Sequence, residues 1–440
     1  MREAIRDGRL APGSRVPSTR ALARDLSVAR GTVKEAYAQL IAEGYLLARP
    51  GSGTSVVTGV PQSPVVPVSL PPPPAPRADF RPGSPDLSSF PRSGWLAASR
   101  RALRHAPDAV LGYGDPRGRP ELRRALANYL ARVRGVRTKP ELVVVCGGFA
   151  QGLTVLCRAL RSIGISKVAM EDPCIPAHRA AARTTPLTVV SVPVDTEGVR
   201  VDALAVHSPG AVFVTPAHQC MLGMTMVPGR RVELLRWAAD AQAVVIEDDY
   251  DGEFRYDRQP VGALQGLDPD RVIYAGTASK TLAPGLRLAW LAAPPHLIEA
   301  VVEAKRLTDG LSGVLDQLTL ADFIESGGFD RHIRRMRLRY RRRRDLLIAA
   351  VAERAPALQP SGIAAGLHVV LSLPRHGPME EEAVAYSAEH GVALFGLGQF
   401  FADRDNHVPG LVVGYGTPPE HSFDTALRSL IGVLGELWSA

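Results

Sequence analysis

The chain has 440 residues, 45% hydrophobic and 22% charged, a balance normal for a soluble globular protein and too long for one ordinary core, so two or three domains are expected. No uninterrupted apolar run reaches membrane length and no basic-then-apolar leader stands at Met1, which excludes a membrane partner and makes a cytoplasmic protein the expectation. The formal net charge of +8 permits a polyanionic partner without demanding one, because nearly all the basic residues are arginine. Four cysteines (Cys146, Cys157, Cys174, Cys220) show no CxxC pair and no histidine at metal spacing, so reduced thiols and no metal are expected.

In chain order, residues 1–58 form a small arginine-rich head with nine Lys or Arg against five Asp or Glu. "MREAIRDGRL" is amphipathic, with Ile5 on one face. "APGSRVPSTRALARDL" reads as a turn and a helix with Ser18 as N-cap. A second helix is predicted from about Arg30 to Ala42, broken at Gly44, with Val33, Tyr37, Leu40 and Ile41 packing inward. "YLLARPGSGTSVV" follows as a glycine-tipped hairpin. Helix, turn, helix and hairpin describe a winged helix-turn-helix. That arrangement puts Arg30, Thr32 and Lys34 at the exposed start of the second helix, for a major groove, and Arg15, Arg20 and Arg49 on phosphates of double-stranded DNA. A solvated basic face is the plainer alternative, but the order of elements and the Gly-Ser-Gly tip favour DNA. The stretch "LAPGSRVPSTRALARDLSVARGTVKEAYAQLIAEGYLLARPGSGT" resembles the DNA-binding head of the GntR family. Members of that family carry several more residues before "REAIRDG", so a truncated first helix is expected here.

Residues 59–79 include "PQSPVVPVSLPPPPAP", in which repeated prolines forbid helix and central strand; an extended, semi-rigid linker is expected. The body, residues 80–440, alternates apolar runs with amphipathic helices. "ELVVVCGG", "KVAMED", "TVVSVPV", "AVFVTP", "AVVIEDDYD" and "RVIYAGTASK" predict an α/β domain with a parallel sheet covered on both faces. Ligands in such sheets lie beyond the carboxyl ends of the strands. There, Gly148, Phe149 and Ala150 open a helix whose free amides suit a phosphate. Asp248 and Tyr250 follow a second strand; Ser279, Lys280 and Arg287 follow a third. Together they describe one ligand, pyridoxal 5'-phosphate. Its phosphate meets the amides, Ser279 and Arg287, its ring nitrogen Asp248, its phenolic oxygen Tyr250, and its aldehyde the Schiff-base lysine, Lys280.

The motifs "PDLSSFPRSGW", "YGDPRGRPELRRAL", "VTPAHQ", "IEDDYDGEFRY", "GTASKTLAPGLRLAWL" and "GLHVVLSLP" run in the order of the MocR subfamily of GntR regulators, which the whole chain resembles, PdxR-like members included. The resemblance implies an aminotransferase-like fold type I body. It also implies a head-to-tail homodimer in which Tyr113 reaches the phosphate held by the partner; a turn-packing aromatic is the other reading of that residue. Three positions depart from the pattern. Ile175 stands where a tyrosine stacks on the ring, Cys220 to Gly223 replace Asn-Pro-Thr-Gly, and Val412 aligns with an arginine that clamps substrate carboxylates. Losing that bidentate pair costs about 2–5 kcal/mol where it is desolvated. The expected function is therefore a DNA-binding transcriptional regulator with pyridoxal 5'-phosphate as its small-molecule effector, controlling vitamin B6 synthesis or salvage. A regulator sensing an amine such as GABA, taurine or an ectoine derivative is one alternative. A working aminotransferase is the other, with transamination at most residual on this sequence.

Overall fold

The computed structural model describes residues 1–58, 76–256, 261–404 and 407–438; of the expected linker, residues 59–75 lie outside them. The chain divides into two compact units, Met1–Pro74 and Ala75–Ala440.

In the first unit, helices Arg2–Arg6, Thr19–Asp25 and Arg30–Ala42 precede an antiparallel hairpin, Leu46–Arg49 with Gly53–Val56. The Ser18 hydroxyl accepts from the Ala21 amide at 3.1 Å, so the second helix starts where its N-cap dictates. Ser27, in left-handed backbone (φ 53°), makes the turn into the third helix. Val33, Tyr37 and Leu40 pack with Ile5, Val16, Ala23, Leu46 and Val56 into one core. Ile41 does not join them: it is 37% exposed. Positions 33, 37 and 40 already complete the inward stripe, and residue 41 falls at its edge, about 100° past Leu40 around the helix.

The second unit is built on an eight-stranded sheet. Its strand order is Val143–Cys146, Ala289–Ala292, Val272–Thr277, Val244–Asp248, Ala211–Val214, Lys167–Asp172, Thr188–Asp195, Gly198–Val199. All six predicted strands are present. The sheet is not wholly parallel, however, because Ala289–Ala292 runs antiparallel to both neighbours and Gly198–Val199 turns back on Thr188–Asp195. "LAWLAA" is short, fully buried and follows a tight connection, so nothing in its apolar pattern announces direction. Helix Phe149–Ser162 covers one face through Leu153, Leu156 and Leu160, each worth about 1.5–3 kcal/mol when taken fully from water.

Helix Gly328–Arg354 leads to a four-stranded sheet ordered Gln359–Ser361, Val369–Ser372, Gly410–Val413, Phe395–Gly396. The start of the body returns to this end of the unit. Ala78–Asp79 pairs parallel with Val392–Ala393, and buried Arg343 donates to Asp86 at 3.0 Å. Gly83 is thereby held between two anchored points of the chain.

Candidate functional site

The register of the sheet assembles the site. Ala289 pairs with Cys146 and Thr277 pairs with Ala289. Two residues past Cys146 stands Gly148, and two before Ala289 stands Arg287, so these residues meet beyond the strand ends. A Cβ on Gly148 would lie 2.8 Å from the Arg287 guanidinium, and Gly148 also holds a φ of 100°. Glycine is required here on both counts. Gly148 supplies no side-chain cap, so the first amides of helix Phe149–Ser162 stay free of one, at the positive end of its dipole. Arg287 is exposed, and its side chain has no hydrogen-bond or ion-pair partner among the described residues. Ser279 is nearby in the chain turn, its hydroxyl accepting from Thr277 Oγ1 at 2.9 Å.

The acidic run Glu247–Asp248–Asp249 is divided by the pleat. Glu247 accepts from the Leu264 and Gln265 amides at 2.7 and 2.9 Å; Asp249 binds Arg134 and Tyr274 on the far side. Asp248 alone faces the site. It is buried, and its Oδ1 has no hydrogen-bond partner. Burial, with Asp249 as a second cause, pushes its carboxyl well above the usual carboxylate range. A buried acceptor left unpaired is costly, and a protonated ring nitrogen is the group that would satisfy it.

Lys280 Nζ donates to the Gly83 carbonyl at 2.5 Å. Burial lowers its pKa, opposed by the Cys220, Asp251 and Asp248 side, so the amine is biased toward the neutral, nucleophilic form. Tyr250 OH lies 3.1 Å from His218 Nδ1, which also meets Asp251 Oδ2 at 2.8 Å. Ile175 and Phe149 line one cavity with Asp248, Glu171, Cys174 and His178. The His178 ring stands 4.8 Å from that of Phe149, centroid to centroid, and burial, aided by the Lys280 charge, lowers its pKa to about 4. Glu171 accepts from the Thr215 amide and hydroxyl at 3.2 and 2.6 Å, and burial raises it to about 7.

Of the residues expected around the cofactor, Gly148 and Arg287 are brought together and Asp248, Ile175 and Phe149 share a cavity wall. Lys280 reaches Gly83, and Ala150 lies exposed at the helix start. Tyr113 stands apart, 101% exposed, and so does not pack on its own turn. Val412 is fully buried in an apolar cluster with Cys220, Met221, Val370, Leu397 and Phe400, against which Tyr250 and Ile175 pack. Sequence reasoning missed His178, His218 and Asp251. His178 was findable as one turn beyond Ile175; the His218–Asp251 pair had no sequence signal, its members being 33 residues apart. The donor set fits pyridoxal 5'-phosphate: an unsatisfied buried carboxylate for the ring nitrogen, a phenol, an amine, and a glycine–arginine cradle for the phosphate.

In the head, Arg15, Arg20, Arg30, Thr32, Lys34 and Arg49 are all exposed. None of the five basic residues among them has an ion-pair partner among the described residues. Other head arginines are engaged, Arg2 with Glu43, Arg9 with Asp7 and Arg24 with Asp25. A Cβ on Gly31 would touch nothing within 4 Å, so the start of the third helix faces open space.

Residues 1–56 match the family model of bacterial regulatory proteins of the gntR family, and residues 86–402 that of aminotransferase class I and II. The probable rhizopine catabolism regulatory protein MocR of Rhizobium meliloti is 35% identical over 94% of this chain and 88% of its own. This chain is a MocR-type transcriptional regulator of the GntR family. The pyridoxine biosynthesis transcriptional regulator PdxR of Corynebacterium glutamicum is 31% identical, covering 98% of this chain and 93% of its own. Among solved structures, kynurenine aminotransferase of Pyrococcus horikoshii superposes with a TM-score of 0.73 at 26% identity, over 82% of this chain and 91% of that one. The MocR-type body is thus an aminotransferase fold joined to a helix-turn-helix head. No described helix is long and apolar enough to cross a membrane.

Proposed function

We propose that this regulator binds pyridoxal 5'-phosphate at Lys280 and responds to the cofactor itself, so that its DNA binding follows vitamin B6 supply. The observation that carries this reading is Val412. Where a carboxylate-clamping arginine is expected, Val412 is fully buried in an apolar cluster with Cys220, Met221 and Phe400, of which Cys220 also lines the cavity that holds Asp248. An amino-acid carboxylate there would lose its hydration without gaining a charge-assisted pair. The regulatory role that the name of PdxR carries supports the same reading.

When bound, the cofactor supplies an electrophilic carbon and an electron-withdrawing ring. The chain's own residues do the rest. The Phe149 and Ala150 amides with Arg287 and Ser279 hold the phosphate, and Asp248 keeps a proton at the ring nitrogen. Tyr250, steadied by His218 and Asp251, holds the phenolic oxygen, while Ile175 and His178 bound the cavity. Two chains pair head to tail, with Tyr113 completing the site across the interface. Arg30, Thr32 and Lys34 enter a major groove, and Arg15, Arg20 and Arg49 contact phosphates. For occupancy to switch the head, the cofactor must bind two arrangements of the protein with different affinity.

A gel shift on the DNA upstream of the protein's own gene tests this, run without ligand, with pyridoxal 5'-phosphate, and with the cofactor plus a panel of amines. A change with the cofactor alone is expected, abolished in Lys280→Ala. A change that requires an added amine, or a full response in Lys280→Ala, would overturn the reading.

A further inference from the structure

The wall of the cofactor cavity has an outer side. Helix Pro176–Arg183 begins at Ile175, on the cavity, and borders a second cleft that the turn Gln399–Arg404 closes from the opposite side. This cleft has a volume of about 450 Å3 and is lined by Arg179, Arg183, Thr184, Gln399, Phe401 and Arg404, among others.

Its electrostatics are one-sided. Arg179 and Arg183 lie one helical turn apart on the same face. Arg179 is only 6% exposed; one terminal nitrogen donates to Asp172 Oδ1 at 2.9 Å, but its Nε has no hydrogen-bond partner. The same Asp172 oxygen accepts from the Ala402 amide at 2.8 Å, so the one carboxylate paired with this cluster is already shared. Asp403, beside Arg404, is engaged in an interaction of its own. Arg183 and Arg404 are exposed and neither has an ion-pair partner among the described residues. Three guanidinium groups therefore share this cleft, one of them buried with a donor unspent. Guanidinium forks match the oxygens of carboxylate, sulfonate and phosphate groups.

We propose that this cleft binds a small oxyanion between Arg179, Arg183 and Arg404. The bound anion would accept from the exposed Arg183 and Arg404, over the buried charge of Arg179, and draw the turn Gln399–Arg404 onto the helix. Both walls report to the cofactor cavity: Ile175 and Cys174 line it, and the Cys174 amide donates to the Phe400 carbonyl at 3.1 Å. Anion occupancy thus stiffens the outer wall of the cavity. The cleft stands on its own residues and does not depend on the effector proposed above.

The test uses full-length protein loaded with pyridoxal 5'-phosphate, so that the Gly148–Arg287 cradle is filled. It is titrated calorimetrically with sodium sulfate at constant ionic strength and, in a second arm, with a short aminosulfonate while the cofactor absorbance is recorded. Saturable binding of sulfate is expected, weakened about tenfold or more by the combined Arg183→Ala and Arg404→Ala substitutions, with cofactor band and melting temperature unchanged. Arg183→Lys with Arg404→Lys should restore part of the affinity, which a purely structural role would not require. Sulfate binding with a constant band identifies a free anion. Binding of the aminosulfonate alone, with a shifted band, identifies the acidic end of an amine that reaches Lys280. Saturation of neither probe, or equal affinity in the doubly substituted protein, would overturn the proposal. Loading is read from the band: protein that takes up no cofactor counts against the proposed function only, and the sulfate titration is then run in an Arg287→Ala background.

Discussion

Asp248 is the only member of Glu247–Asp248–Asp249 left without a full set of partners, and its neighbours show why. Successive strand residues point to opposite faces, so Glu247 and Asp249 find amides and Arg134 on one side while Asp248 faces the ligand alone. Asp248→Asn keeps the shape but cannot carry the negative charge, and is expected to weaken cofactor binding roughly tenfold or more, read as the midpoint of an absorbance titration. Gly148→Ala places a methyl 2.8 Å from Arg287 in left-handed backbone and is expected to cost about 1–3 kcal/mol of local strain, seen as a comparable loss of cofactor affinity. His178 carries a pH signature. Its pKa falls from the ordinary value to about 4 in the folded protein, so between about 4 and 6.5 the unfolded chain binds the extra proton and folding stability rises with pH. Replacing it with Asn removes that dependence: the melting temperature of His178→Asn should fall less than that of the native protein between pH 7 and pH 5.

At the scale of elements, the head is a set of short helices whose ends matter more than their middles. Thr19–Asp25 has seven residues, too few to persist alone, and depends on the Ser18 cap and on Ala23 in the core. Ser18→Ala should lower head stability by about 1 kcal/mol, visible as earlier loss of the gel shift on warming. Arg30 is the first residue of the third helix and is exposed there. Arg30→Ala should reduce DNA affinity while leaving the cofactor band intact; loss of both would mark the residue as structural. In the body, the strand Ala289–Ala292 is the element that matters most. Its antiparallel pairing with Val143–Cys146 returns Arg287 to Gly148, which a right-handed parallel crossover would carry elsewhere.

At the scale of the molecule, Tyr113 is fully exposed in a chain whose other aromatic side chains are largely packed. An aromatic ring left in water beside exposed Leu111 fits a surface meant to be covered. Tyr113→Phe is expected to weaken cofactor binding while leaving the dimer intact by light scattering, since only the hydroxyl is removed. A variant with unchanged affinity would take Tyr113 out of the site.

Local chemistry was legible in the residues themselves. Strand-end acids, a lysine and an arginine within one connection, a glycine before a helix and a helix capped by Ser18 depend on neighbours a few positions away, and the chain order of these motifs names the fold. Whatever depended on strand direction or on distant contacts was not legible. The reversal at Ala289–Ala292, the His218–Asp251 pair and the arginine cleft beside the cofactor wall arise from pairings across tens to hundreds of residues. A burial pattern records that a residue is inside; only the tertiary structure decides what it faces there.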